Sequence, residues 1–290
     1  MKKYFWSILF LLSALQIVAQ SPSDRNALSK NNLYIYWGWN WSSYTDSNIE
    51  LKGNSYDISL KDVTSQDRPS SFDLKTYFHP LQLTKPQYNV RVGYFIKDRW
   101  DISFGIDHMK YVVDQNQIVH ANGFISETGT SYDDTYNKTP IIIEPGFLEL
   151  EHTDGLNYVN FEIRKHTQLF ALKNIELNGQ LGAGLGGYMP KTDATFLNFE
   201  RNDDWHWAGF GTHLVTGLNL TLFQRFFIQS ELKGGYINLP DIKTTASNND
   251  GAKQKFLFSQ INILFGGIIK LNPKAGNAKK PEEQSFLLEE

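Results

Sequence analysis

The chain has 290 residues, a formal net charge of -3 and 14% aromatic residues. The weak charge gives no reason to expect a nucleic-acid partner, and a mean hydropathy of -0.39 excludes a bundle of membrane-spanning helices. The absence of cysteine excludes disulfides, thiolate metal sites, cysteine nucleophiles and a lipidated N-terminal cysteine.

The first residues predict a secretory signal peptide. The start Met1-Lys2-Lys3 is basic, the run from Tyr4 to Leu15 is apolar, and Ala19 is a small residue at a suitable cleavage position. The alternative is an uncleaved anchor, but the run is shorter than the roughly 20 residues that a spanning helix needs. We therefore expect a signal peptide at residues 1–19 and an N-terminal periplasmic segment at residues 20–32.

The stretch from Leu33 to Ser42 alternates between apolar and polar side chains, and Trp37, Trp39 and Trp41 lie on its apolar side. A strand points successive side chains to opposite faces, so this stretch predicts a strand with one apolar face. That face could meet either a protein core or lipid.

Seven more segments show the same alternation: 87–96, 100–113, 156–164, 175–185, 212–222, 226–237 and 255–271. Three predicted connections are short, at 97–99, 166–174 and 223–225. Four are long, at 43–86, 114–155, 187–207 and 238–254. Strict alternation of short and long connections is typical of an outer-membrane barrel, whereas a soluble β-sandwich, the alternative, has no reason for it.

The polar faces of these strands carry six charged residues: Arg91, Asp107, Glu162, Arg164, Glu231 and Lys233. The interior of an eight-stranded barrel is narrow and filled by side chains. Charges buried there must pair, so these residues predict a polar network in the lumen. The opposite parity of Trp37, Trp39 and Trp41 predicts that they face the bilayer near its outer interface, where tryptophan is enriched.

The last segment, from Leu264 to Leu271, is similar to the barrel-assembly signal of outer-membrane barrels, with Gly266 and the terminal Leu271 in place. The chain thus resembles, over residues 33–271, the small outer-membrane β-barrel class that includes OmpA-type, OmpX-type and PagP-type barrels. The resemblance is one of architecture and matches no specific family motif. It implies an all-β fold, namely an eight-stranded antiparallel transmembrane β-barrel with long extracellular loops and short periplasmic turns.

This architecture implies the outer membrane of a Gram-negative-type envelope, a monomer, and contact with outer-membrane lipid and lipopolysaccharide. Residues 272–290 are rich in Pro, Gly, Lys and Glu and predict a flexible periplasmic tail. The apolar Phe286-Leu287-Leu288 within it is either a docking peptide for a periplasmic partner or part of a disordered end, and short tails are usually disordered.

The second long connection is acidic, with these carboxylates: Asp114, Glu127, Asp133, Asp134, Glu144, Glu149, Glu151 and Asp154. Such a loop either holds a hard divalent cation or is simply solvated, and its lack of regular ligand spacing favours the second alternative. The sequence has no metal motif, no glycine-rich phosphate loop and no nucleophile elbow, so we expect no metal and no cofactor.

The pair Asp107 and His108 is the one cluster with catalytic potential. The parity of its strand places His108 on the lipid side, where a histidine is costly unless it has a function or reaches the headgroups. Barrel enzymes that hydrolyse or transfer lipid A acyl chains use a histidine near the outer leaflet, and His108 would act there as general base. No serine can be assigned as its partner, and an interfacial histidine bound to lipid phosphate is the alternative.

The favoured function is non-enzymatic: a structural, adhesion or envelope-assembly role through the outer loops and the tail, with a periplasmic or surface protein as a possible partner. The alternative is an enzyme that modifies lipid A acyl chains, centred on His108. A passive pore is the least favoured, because eight strands leave an interior filled by side chains.

Overall fold

The computed structural model describes residues 27–71, 73, 77, 87–152 and 155–271. The predicted signal peptide and the predicted tail lie outside these residues. The described strands are β1 (Asn32–Tyr44), β2 (Ser47–Lys52), β3 (Tyr56–Val63), β4 (Ser65–Gln66), β5 (Tyr88–Lys97), β6 (Trp100–Met109), β7 (Val112–Val113), β8 (Gln117–Ile125), β9 (Asp134–Ile143), β10 (Leu148–Glu151), β11 (Leu156–Leu172), β12 (Ile175–Phe196), β13 (Asn202–Trp205), β14 (Gly209–Leu222), β15 (Phe226–Lys243) and β16 (Gly251–Lys270).

Eight of the described strands close into a ring of antiparallel pairs. Their order is β1–β5–β6–β11–β12–β14–β15–β16. Strand β16 pairs back with β1, from Asn32 opposite Lys270 to Tyr44 opposite Phe258. These are the eight strands that the alternation predicts, so the prediction of an eight-stranded antiparallel barrel is confirmed. We call it the membrane ring.

Each strand of the membrane ring presents exposed apolar side chains on its outward face: Ile35, Val92, Phe104, Phe161, Leu181, Leu214, Ile228 and Ile261. A continuous exposed apolar surface of this size is stable in lipid and not in water. The closed ring also pairs the backbone groups of neighbouring strands, which is the condition for β structure to cross a bilayer. The ring therefore spans a membrane. Among the described residues, no helix is long and apolar enough to cross one.

The short connections lie at one end of the membrane ring, at residues 98–99, 173–174 and 223–225. Both ends of the described chain, Ala27 and Leu271, lie at this periplasmic end. The turn predicted at 166–174 is shorter than expected because β11 continues to Leu172. Its alternation is interrupted by a register shift between Gln168 and Phe170, and this irregularity hid the end of the strand from the sequence pattern.

The long connections lie at the other end, as predicted, and they contain further strands that the sequence pattern did not show. From β12 a second route of pairs runs through β10, β7 and β4. Strand β4 follows β3 after one residue, β3 pairs with β2, and β2 pairs with β16. Strands β14 and β15 already join β12 to β16, so this route forms a second ring, which we call the outer ring. The chain from β3 to β4 closes this ring, and no strand pairing is formed between these two strands. A hairpin of β8 and β9 extends the sheet beyond β3.

The polarity of the two faces inverts where the strands pass from the membrane ring into the outer ring. On β16, Asn262 points inward and Ile261 outward within the membrane ring, whereas Phe256 points inward and Lys255 outward in the outer ring. Lipid surrounds the first part and water the second, so the apolar face must change sides. The outer ring consequently encloses an apolar core to which every strand of the second route except β4 contributes.

This inversion explains why strands were predicted to end too early. Strand β12 runs to Phe196 although a loop was predicted from residue 187, and β15 runs to Lys243 although a loop was predicted from residue 238. Strands β2 and β3 form a hairpin whose turn lies at residues 53–55.

Candidate functional site

The six charged residues predicted in the lumen lie together in the middle of the membrane ring, and each is exposed by 3% or less. Glu162 is the hub of the cluster. Its Oε1 lies 2.7 Å from Arg91 Nη2, 3.0 Å from Lys233 Nζ and 2.8 Å from His213 Nε2, and its Oε2 contacts Arg164.

The remaining acids complete a neutral network of three basic and three acidic groups. Lys233 Nζ contacts Asp107, and Arg164 Nη1 contacts Glu231. Arg91 Nη2 also lies 3.8 Å from Asp107 Oδ1. Ions removed from water are stable only when paired and hydrogen-bonded, and here the charges balance within the cluster. This arrangement links β5, β6, β11 and β15 across the barrel and leaves none of the six groups exposed for chemistry.

Apolar layers close the barrel on both sides of the network. At the periplasmic end, Leu28 from the N-terminal segment packs in a buried cluster with Tyr34, Phe95 and Phe227. At the other end, the core of the outer ring fills the mouth. A cavity of about 10 Å³ between the periplasmic cluster and the network has room for about one water molecule. The described interior is therefore packed and shows no channel.

His108 lies on the outward parity of β6, as predicted, but its side chain is only 1% exposed, so the prediction that it faces lipid is wrong. Its ring stacks on Tyr88 with centroids 5.0 Å apart, and its Nδ1 lies 2.8 Å from Asn157 Oδ1. Gly155 passes so close that an added Cβ would lie 2.7 Å from the His108 ring. Neighbouring strands and the returning chain thus cover this position, which parity alone does not reveal.

The three tryptophans of β1 differ from one another in exposure. Trp37 and Trp41 are partly exposed on the outward face. Trp39 is only 7% exposed, because Tyr77 packs on it with centroids 5.4 Å apart and Trp37 and Phe265 flank it. The prediction that Trp39 faces the bilayer is therefore wrong, since a residue of the first long connection covers it.

The outside of the outer ring carries a polar cleft of about 490 Å³ above the membrane. It crosses β4, β7, β10 and the outer part of β12. Its polar lining residues are Gln66, Arg68, Gln115, Glu149, Glu151, Asp193, Thr195 and Arg201. Four strands contribute, so the cleft has a rigid floor and a lining of both hydrogen-bond donors and acceptors.

Three carboxylates lie in one row beside this cleft, because the register places Glu151 opposite Asp193 and Asp193 opposite Asp203. Like charges on neighbouring strands repel. Each acid has a basic partner. Arg68 lies 3.0 Å from Glu151, Arg201 contacts Asp193 directly, and Lys191 lies 3.3 Å from Asp203. Burial raises the pKa of Asp193, while Arg201 opposes the rise. The row is charge-compensated and offers paired donors and acceptors to a polar ligand.

At least two carboxylates of the acidic second connection stabilise its local structure by accepting hydrogen bonds. Asp133 accepts hydrogen bonds from Thr128 and from Gly129 N, and the Thr128 hydroxyl lowers the Asp133 pKa. Glu144 accepts a hydrogen bond of 2.6 Å from the Tyr132 hydroxyl. Within the described ranges, no group of three or more His, Asp or Glu residues is placed to hold a metal ion.

Sequence reasoning missed the cleft because its residues come from four strands, and from connections beside them, that are far apart in the chain. A local signal exists nonetheless. Glu149 and Glu151 alternate with Leu148 and Leu150 on β10, and Asp193 lies opposite the parity of the buried Ala194 and Phe196 on β12. Alternation of this kind in a predicted loop indicates a strand with one buried face and one solvent-exposed face.

No protein-family model and no curated protein matches this sequence. Among solved structures, the chain is similar to the outer membrane protein OprG of Pseudomonas aeruginosa, with 9% identity, 85% of this chain and 100% of that chain covered, and a TM-score of 0.39. It is also similar to the outer membrane protein AlkL, with 10% identity, 88% and 98% coverage, and a TM-score of 0.38.

A third similar structure is Ail, the attachment invasion locus protein of Yersinia pestis, with 10% identity, 83% and 99% coverage, and a TM-score of 0.31. In the chain itself, eight paired strands close a ring, lipid-facing side chains surround it, and its turns are short at one end only. With this geometry the protein is a small β-barrel of the Gram-negative outer membrane.

Proposed function

We propose that this protein is a non-enzymatic recognition protein of the outer membrane, which binds a polar partner outside the cell in the cleft of the outer ring. The observation that carries the proposal is the cleft itself. It has a volume of about 490 Å³, lies above the lipid-facing band, and is lined by amide, hydroxyl, carboxylate and guanidinium groups.

Three features of the outer ring support a binding role. Its strands are locked by an apolar core, so the cleft is pre-organised and a ligand loses little free energy in ordering it. Arg68 and Glu149 are both exposed at the cleft, so groups of both charges are available to a ligand. Function also concentrates where connections face the surroundings, which in this barrel is the outer side.

The packed interior does not support a pore, because the charged network and two apolar layers fill it. The enclosed geometry of His108, stacked on Tyr88 and bound to Asn157, does not favour acyl-chain chemistry at that residue. Adhesion or recognition through the outer surface is the function that the geometry supports best.

The test is binding of the labelled protein, in detergent, to an array of immobilised oligosaccharides of neutral, acidic and basic character. The decisive variant is Thr195→Trp, because Thr195 lines the cleft and a bulky side chain there fills it. The matched control is Lys253→Trp, on the exposed face of β16 away from the cleft. We expect about tenfold weaker binding for Thr195→Trp and unchanged binding for the control. Equal binding by all three proteins, or none by the wild type, would contradict the proposal.

A further inference from the structure

A groove interrupts the lipid-facing wall of the barrel on the side formed by β12, β14, β15 and β16. Its volume is about 490 Å³, and it opens widely toward the bilayer. The lining residues are Ala183, Gly184, Thr212, His213, Leu214, Gly234, Gly235, Tyr236, Leu257 and Phe258. This groove is separate from the polar cleft of the outer ring, with which it shares no residue.

The groove contains a glycine, Gly234, at a position where the neighbouring protein atoms leave room for a larger side chain. Gly234 lies on the outward parity of β15, and a Cβ added there would meet only Phe258 O at 3.7 Å, an ordinary contact. At the next residue, Gly235, an added Cβ would lie 2.2 Å from Thr212 O. Glycine within a strand costs stability and often marks a place where a ligand approaches the backbone closely.

The surroundings of the groove indicate an apolar chain as its occupant. Leu214, Leu232, Leu257 and Ile261 around it are all more than half exposed, so the groove is continuous with the lipid-facing band. None of the side chains in the described part of the chain fills this depression. An acyl chain of the surrounding lipid is the group that the bilayer supplies there.

Polar groups lie above the groove, toward the outer surface. Asn238 is four residues beyond Gly234 on β15, roughly 13 Å along the strand, and the register places it opposite Lys255 of β16. Lys255 is exposed, and no described residue forms an ion pair with it. Glu50 lies opposite the next outward lysine, Lys253, so Lys255 is the cation best placed to meet a phosphate.

We propose that this wall binds one molecule of a phosphorylated outer-leaflet glycolipid of the lipid A class. One acyl chain lies in the groove at Gly234, and a headgroup phosphate contacts Lys255, with the Asn238 amide beside it. The apolar groove and the cation above it match the two ends of such a lipid. The site does not depend on the proposed recognition function of the outer ring.

The experiment is native mass spectrometry of the detergent-purified barrel with added lipid A, dephosphorylated lipid A or phosphatidylethanolamine. Gly234→Leu fills the groove, and Lys255→Gln removes the cation. Gly179→Leu is the matched control, because Gly179 is another outward glycine whose added Cβ has its nearest contact at 3.6 Å. Lys173→Gln in a periplasmic turn is the control for charge.

We expect the wild type and both controls to retain one lipid A, and each site variant to retain about fivefold less. Unchanged retention by Gly234→Leu would overturn the groove. Equal retention of dephosphorylated lipid A would overturn the phosphate contact, and equal retention of phosphatidylethanolamine would overturn the assignment to the lipid A class. A gel shift between boiled and unboiled samples verifies folding. Lys255→Gln, an exposed change, keeps the test decisive if Gly234→Leu does not fold.

Discussion

Lys233 Nζ lies 3.0 Å from Glu162 Oε1 in the centre of the barrel, and both side chains are fully buried. The same ammonium group contacts Asp107, so one cation from β15 neutralises acids from β6 and β11. Strand β15 is a neighbour of neither β6 nor β11 in the membrane ring, and the contact therefore ties together opposite parts of the wall. The network acts as the polar core of a barrel whose apolar surface faces lipid.

Replacing Lys233 with methionine is expected to lower the free energy of unfolding by about 3–5 kcal/mol, because it leaves two buried acids short of a cation. Urea unfolding in lipid vesicles measures the change. Lys173→Met, in an exposed turn, is the control and is expected to change stability by less than about 0.5 kcal/mol. Adding Asp107→Asn to Lys233→Met should restore part of the loss. A loss below about 1 kcal/mol for Lys233→Met would contradict the role of the network.

The stability of the outer ring is expected to fall in acid because of His152. Burial lowers the pKa of His152 from 6.5 to about 3, and its Nδ1 lies 3.0 Å from Thr192 Oγ1. The unfolded chain binds this proton at higher pH than the folded one. The free energy of unfolding is therefore greatest above about pH 6.5 and decreases toward pH 3, by up to about 1.4 kcal/mol per pH unit.

Comparison of the wild type with His152→Asn between pH 7.5 and 4.5 isolates this contribution, since the other titrating groups are common to both proteins. Protease cleavage within the outer ring, followed at each pH, is the measurement. We expect the wild type to lose protection more steeply with falling pH than the variant does. Parallel pH profiles for the two proteins would exclude His152 as the cause.

The packed interior predicts no steady conductance in planar lipid bilayers. The charged network, the periplasmic cluster with Leu28 and the core of the outer ring all block the axis. Purified protein that gives a heat-dependent gel shift is added to the bilayer, and a known porin serves as the positive control. Stable open levels at low voltage would show that the interior is not closed as described.

The apolar core of the outer ring is expected to determine the stability of that ring without affecting the stability of the membrane ring. Phe196 is buried and packs on Tyr56 with ring centroids 4.8 Å apart. Phe196→Ala should cost about 3–5 kcal/mol locally by leaving a cavity, which protease cleavage near residues 56–66 would detect while the gel shift persists. Phe124→Ala, which removes a 43% exposed ring, is the matched control and should leave cleavage unchanged. Equal cleavage of both variants would contradict this division.

The membrane ring could be predicted from the sequence because each of its strands shows one apolar and one polar face. The outer ring could not be predicted in the same way, since the apolar face changes sides along β12 and β16. On β16 the outward position changes from Ile261 to Lys255, and a search for a constant apolar face stops at that point. Pairings such as Ser65 with Val113 also join segments that carry only two paired residues each.

Individual side chains show the same limit. Parity correctly assigns His108 and Trp39 to the outward face, but their burial depends on residues distant in the chain, Asn157 for one and Tyr77 for the other. Residues of the long connections pack on these outward side chains and bury them. Such packing leaves no periodic pattern in the sequence, so only the folded structure reveals it.

Hydrogen exchange of the protein in lipid vesicles, read by mass spectrometry, tests most directly whether a rigid outer ring continues the barrel above the membrane. We expect slow exchange in β2, β3 and β10, comparable with the membrane strands, because their amides are paired around an apolar core. Exchange of residues 47–63 and 148–151 at the rate of an unfolded chain, with the membrane strands still protected, would contradict it.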